Sequence, residues 1–104
     1  MSWATEYIDK LKKGEKVQFR PFGNSMKGHI ESGQLVQVSP VNRTILVDNI
    51  VLCKVGKYQY LHLVKAIKND KYQIGNASGY INGWIGKDDI YGILDWVEKD
   101  PSGD

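Results

Sequence analysis

One cysteine, three prolines and two phenylalanines stand among 104 residues. A single thiol, Cys53, excludes an internal disulfide. It lies in the apolar run Ile50-Val51-Leu52-Cys53, which predicts a buried structural thiol and a reducing, cytoplasmic setting. No apolar run approaches the roughly 20 residues needed to cross a bilayer, so no membrane partner is expected. The opening stretch Met1-Ser2-Trp3-Ala4-Thr5-Glu6 has neither the basic nor the apolar region of a secretion signal. An excess of charge is lacking too: 14 Lys plus Arg face 12 Asp plus Glu, a net charge of +2. So even a balance argues against a nucleic-acid partner. The densest basic run, Lys10, Lys12, Lys13 and Lys16, reads as the solvated face of a helix, because nonspecific nucleic-acid binding needs many phosphate contacts. No cluster of His, Cys and carboxylates has metal-ligand spacing, and no glycine-rich phosphate loop leads from a strand into a helix. Neither a metal nor another cofactor is expected.

What is present is an ordinary globular composition, 41% hydrophobic and 25% charged, on a chain long enough for one domain with one modest core. Residues 1–14 are expected to form the N-terminal helix, 15–97 a β-rich core and 98–104 a flexible tail. Trp3, Tyr7, Ile8 and Leu11 recur at helical spacing, Ser2 or Thr5 can cap the start, and Gly14 ends the helix. Strand-like alternation then covers Val17 to Phe22, Leu35 to Val38, Thr44 to Val47, and a hairpin of Ile50 to Val55 with Tyr58 to Ile67 about Gly56-Lys57. Asn69-Asp70 turns the chain into Lys71 to Ile74, and Ile90 to Val97 is the last strand. Residues 75–88, rich in Gly and Asn, read as a loop. Tyr80, Trp84 and Trp96 are expected to be packing or core residues. The whole predicts a mainly β fold: a curled antiparallel sheet or partly open barrel with one short N-terminal helix.

Two polar residues stand out in this frame. Ser25 follows a Gly23-Asn24 break after a strand, where a hydroxyl sits at a sheet rim beside free backbone N–H groups. A serine becomes nucleophilic only when a base takes its proton. His62, one of two histidines, lies within a later strand, and an ordinary pKa of about 6.5 suits it to that task. The N–H groups of Ser25 and Met26 could then hold an oxyanion. On the residues alone, Ser25 is a nucleophile or a turn serine, and His62 a base or a satisfied strand histidine.

The order of segments adds a resemblance. Gly23-Asn24-Ser25-Met26, Gly33-Gln34, Asp48-Asn49-Ile50-Val51, Leu61-His62-Leu63-Val64, Gly75-Asn76-Ala77 and Ile90-Tyr91-Gly92-Ile93-Leu94 follow one another as in the superfamily of signal peptidases and self-cleaving SOS and phage repressors. The likeness spans residues 20–94. It implies the repressor C-terminal type of fold, Ser25 as nucleophile, and His62 where some members carry a lysine base and others a histidine. Lys65, three residues further along the strand, is expected to face away from His62. His29 is an outside candidate for the base.

The chain also departs from that pattern. Gly28 replaces the proline after Ser-Met, and Gln34, Asn49, Asn76 and Asn82 stand where the family favours acids. Asn76 and Asn82 remain the expected orienting residues for the imidazole; an amide can orient it but brings no charge. Asp88 and Asp89 could substitute only if their loop folds back. The chain shows neither the membrane anchor of signal peptidases nor, in residues 1–16, room for the DNA-binding domain of repressors.

Two functions follow as expectations. One is a soluble serine peptidase-like hydrolase with a Ser25/His62 dyad, cleaving an extended peptide or a loop of a protein partner. The other is a catalytically inactive, phage or mobile-element type of binding module that uses the same groove on a protein or peptide. Regulation of DNA through a separate DNA-binding chain is a third, weaker idea, and homodimer formation is left open.

Overall fold

The structure is a computed structural model and describes residues 2–99. It is mainly β: one short helix, α1 (Thr5–Lys12), precedes seven strands. These are β1 (Val17–Phe19), β2 (Val36–Pro40), β3 (Ile50–Val55), β4 (Tyr58–Lys68), β5 (Lys71–Gly75), β6 (Ile81–Gly86) and β7 (Ile90–Val97). They form one antiparallel, unclosed sheet in the order β1-β2-β7-β3-β4-β5-β6.

Local chemistry explains the elements that the sequence predicts. The N–H of Ala4 bonds to Ser2 Oγ and the N–H of Ser2 to Thr5 Oγ1, which folds the segment ahead of α1, but neither residue is the expected cap: the N-cap is Ala4, and no side chain caps the helix. At its end Gly14 takes φ +87°, while Gly14 and Glu15 donate to the carbonyls of Leu11 and Lys10. That is the Schellman arrangement, and it uses glycine because a side chain strains at this φ. Gly56 at φ +61° begins the two-residue β3–β4 turn. Asn69 and Asp70, at φ +51° and +62°, make the β4–β5 turn, and Asn and Asp tolerate that region better than other side chains.

Both faces of the sheet are covered. Alternation along β3 sends Ile50 and Leu52 to one face, with α1, Met26, Ile30, Val36, Val38 and Leu63. Val51 and Cys53 go to the other, with Val64, Ile74, Ile85, Ile90 and Ile93. The second face is filled by curvature: β6 touches β3, although two strands separate them in the sheet. The contact is close at Gly83, where a Cβ would meet Val55 Cγ1 at 3.1 Å. Cys53 is buried as expected, and desolvation first, then the Asp89 charge, pushes its thiol up to about 12.

Several expectations change. Thr44 to Val47 is not a strand: Asn49 Oδ1 accepts the Leu46 N–H and the Leu46 carbonyl accepts the Asn49 N–H. The β-branched run therefore closes into a turn, burying Ile45 alone of the four. The strand from Val17 stops at Phe19, ahead of Pro21, which has no N–H for a ladder. The expected loop of 75–88 is largely strand β6 and a 3₁₀ turn at Lys87–Asp89. Its glycines serve a bulge and a close strand approach rather than disorder. Tyr80, Trp84 and Trp96 are exposed, not core, because each lies on the solvent side of its segment. The start of the expected flexible tail is tied down: Glu98 accepts from the N–H of Leu35 and the guanidinium of Arg20, and its own N–H donates to the Leu35 carbonyl. Residues 100–104 of that tail, like Met1, lie outside the described residues.

Candidate active site

The segment between β1 and β2 carries Ser25 on a compact series of turns. Asn24 accepts the Lys27 N–H, Met26 accepts those of His29 and Ile30, and Glu31 Oε2 accepts that of Gly28. Met26 and Ile30 anchor this segment in the core, while Ser25 between the turns stays exposed. Gly28 takes φ +97°, which a proline, locked near −65°, cannot adopt.

The loop lies against β4 where that strand has a free side. Residues Tyr58 to His62 pair with β3, whereas pairing with β5 begins at Leu63 opposite Gly75. Past Gly75 the chain turns away, and the Ala77 N–H donates to the Ser25 carbonyl at 2.8 Å, which pins the serine beside the exposed stretch of β4.

Ser25 and His62 meet there. Ser25 Oγ lies 3.2 Å from His62 Nε2, and Asn82 Oδ1 lies 2.8 Å from His62 Nδ1. An amide oxygen can only accept, so Nδ1 donates to it and Nε2 keeps its lone pair for the serine O–H. The imidazole is thus held by a neutral group, in the tautomer that a general base would need. Asn82 reaches it because of a bulge: Gly75 pairs with Ile81 and Ile74 with Gly83, which leaves Asn82 as the extra residue. A bulge re-aims the side chain of its unpaired residue.

His62 is buried while Ser25 is exposed, so the base is shielded and the hydroxyl reachable. Burial lowers the imidazole pKa below its ordinary 6.5; the weaker, opposing influence is the bond from Asn82. The ring is therefore neutral at neutral pH, the form a base needs. Tyr60 stacks on it, with ring centroids 4.8 Å apart and planes 25° apart. Residues two apart on a strand share a face, so the sequence already sets Tyr60 beside His62.

The N–H groups of Ser25 and Met26 have no acceptor among the described residues, although the neighbouring N–H groups of Lys27, Gly28, His29 and Ile30 do. Two unspent donors at the nucleophile are what an oxyanion requires. The other candidates stand apart. Asn76 does not reach the imidazole: its Oδ1 accepts from Ser78 and Tyr80 and closes the turn between β5 and β6. Gln34 bonds Glu31 and Glu98, and Asn49 caps the turn before β3. The side chain of His29 is exposed and makes no hydrogen bond among the described residues. Lys65 is the extra residue of a bulge in β4. Asp88 and Asp89 sit in the 3₁₀ turn, and neither bonds His62.

A cavity of about 440 Å³ opens beside the pair, with Ser25 and His62 in its wall. No group of three or more His, Cys, Asp or Glu able to hold a metal occurs among the described residues, and none of their helices is long and apolar enough to cross a membrane. No family model, no curated protein and no solved structure matches the chain.

Proposed function

We propose that this chain is a small serine peptidase-like hydrolase, akin to the signal peptidase and self-cleaving repressor superfamily, that cleaves an extended peptide or a loop of a partner protein. The observation that carries it is the continuous chain Ser25 Oγ, His62 Nε2, His62 Nδ1, Asn82 Oδ1, with bonds of 3.2 and 2.8 Å. The substrate backbone lies along the unpaired stretch of β4, adding a strand there.

In the first step the Ser25 O–H proton passes to His62 Nε2 as Oγ bonds to the scissile carbonyl carbon. The carbonyl oxygen takes up negative charge between the N–H groups of Ser25 and Met26. The C–N bond then breaks, and His62 gives its proton to the departing amine. Water attacks the resulting ester and loses a proton to His62, which returns it to Ser25 Oγ as the acid leaves. Asn82 holds the ring throughout and contributes no charge, so the imidazolium gains less support than a carboxylate would give.

The test is labelling by a fluorophosphonate, which marks activated serines, together with cleavage of a broad peptide library. Labelling at residue 25 and cleavage that vanish in Ser25→Ala support the hydrolase. No labelling and no cleavage by the parent protein would remove it. The second reading, a binding module without catalysis, is favoured by one feature: an amide rather than a carboxylate stands behind His62. It requires peptide binding that survives Ser25→Ala, with no turnover in either protein.

A further inference from the structure

The hydrolase reading leaves open what side chain the cavity accepts, and its walls bear on that. We propose that the cavity is a selectivity pocket for one large apolar or aromatic side chain of the substrate, on the acyl side of the scissile bond. The inference rests on Ser25 being the reacting group.

The N-terminal segment builds much of the pocket. Trp3, Tyr7, Phe19, Phe22, Met26 and Tyr60 all line it. Tyr7 stacks on Phe19 at 4.5 Å between centroids, and Trp3 tilts against both, at 5.7 Å from Phe19 and 6.4 Å from Tyr7. This wall is already assembled, so an incoming side chain need not order it, which is how preorganised sites gain affinity. Its size, about 440 Å³, lies within the range that encloses drug-sized ligands and far exceeds what a methyl group fills.

The pocket's one cationic liner is already engaged, which argues against an anionic occupant. Arg20 is engaged by Glu98 at 2.6 Å and by the Gly33 carbonyl at 2.8 Å. Glu31 accepts the N–H of Gly28 at 3.0 Å. The other polar side chains in the wall, outside the Ser25–His62 pair, are uncharged: Gln59, the hydroxyls of Tyr7 and Tyr60, and the indole N–H of Trp3. The aromatic cluster is continuous with the pair: Ser25 and His62 line the same cavity, and the unpaired backbone of β4 runs past both through Gln59, Tyr60 and Leu61. A strand laid on that edge points alternate side chains toward the pocket. Half of Trp3 and most of Phe22 remain exposed, at 50% and 82%, which leaves apolar surface to be covered when a substrate seats.

The experiment uses the full chain and short peptide aldehydes that compete with fluorophosphonate labelling of Ser25. Each of the three positions before the aldehyde is varied among Ala, Leu, Phe, Trp, Asp and Lys. At one position Phe, Trp or Leu should compete on the order of 100-fold better than Ala, Asp or Lys, since each buried methylene adds about tenfold or more. Trp3→Ala should cut that preference roughly tenfold, whereas Trp96→Ala, on an exposed residue outside the pocket, should leave it intact. Labelling with equal or better competition by Ala or a charged residue overturns the pocket while the hydrolase stands. If the parent protein shows neither labelling at Ser25 nor cleavage, the hydrolase fails and with it the acyl-side assignment, and the cavity is judged only as a site for an apolar peptide side chain. The same peptides as amides are titrated while the Trp3 and Tyr7 resonances are followed. Selective shifts with the aromatic peptides keep the pocket, and none, or shifts independent of the side chain, remove it.

Discussion

β3 and the first half of β4 face each other across one hairpin and read alike in sequence, yet they do opposite work. β3 has β7 on one edge and β4 on the other, and Ile50, Val51, Leu52 and Cys53 are all buried. The Tyr58 to His62 stretch of β4 has a partner on one edge only, and the Ser25 loop with its cavity occupies the other side. A strand paired on both sides has spent its backbone donors and acceptors on the fold. A strand with a free edge keeps them for another chain, which is a liability unless the edge is used or covered. The Ser25–His62 pair sits at that place, with a buried imidazole and an exposed hydroxyl.

The sharpest way to break the contrast is to change one residue on each side. Ser25→Ala should lower peptide cleavage by at least ~10³-fold, as loss of a nucleophile does elsewhere, while the melting temperature stays within error because the hydroxyl is exposed. Leu52→Ala on β3 should do the reverse. It removes a fully buried side chain and should cost about 2–5 kcal/mol in denaturant unfolding, with the folded fraction still reactive at Ser25. A loss of stability in the first variant, or its absence in the second, would erase the distinction drawn between the strands.

Smaller effects probe the imidazole. Asn82→Ala should lower kcat about tenfold, the worth of one orienting hydrogen bond. Asn82→Asp puts a charge beside the ring, so the His62 resonance should titrate at higher pH than in the parent and the acid limb of kcat/KM should move up with it. In the parent that limb lies below the ordinary 6.5, because burial lowers the imidazole pKa. The same lowering sets a stability trend. Above pH 6.5 neither state binds the proton; below it the unfolded chain protonates first, and stability falls until the folded pKa is passed. Denaturant midpoints measured from pH 7.5 down to 5 should show this, and His62→Gln should flatten that part of the curve. The smallest effect belongs to Glu98. Its carboxyl is held below the ordinary 4.5 by the Leu35 N–H first and by Arg20 next. Its contribution is complete above pH 4.5 and fades as pH falls through its lowered value, so Glu98→Gln should lower the melting temperature slightly at pH 7 and not at all in strong acid.

Much of this was legible beforehand. Short apolar runs bounded by turn residues located β3, β4, β5 and β7 within a residue or two, and Gly56, Asn69 and Asp70 marked the turns of the two hairpins. Ser25 could be singled out by the Gly23-Asn24 break before it, and His62 as one of two histidines, set within a strand; the order of the surrounding segments paired them. β6 could not: Ile81-Asn82-Gly83-Trp84-Ile85-Gly86 has the composition of a loop. Its strand character comes from pairing with β5 and from the contact of Gly83 with Val55, which no local window contains. The choice of Asn82 over Asn76 was hidden for the same reason. Both are amides in one glycine-rich segment, and a one-residue bulge sends the first to His62 while the turn consumes the second.

Residue types and their periodicity determined that this chain makes a short capped helix and a two-faced antiparallel sheet, because burial of alternate apolar side chains and glycine at positive φ are properties of short stretches. Which strand edge stays unpaired, which amide meets the imidazole, and whether a serine 37 positions away in the chain reaches that ring were decided only when the sheet curled. Those are distances between segments remote in sequence, held by packing and register rather than by any preference a residue carries alone.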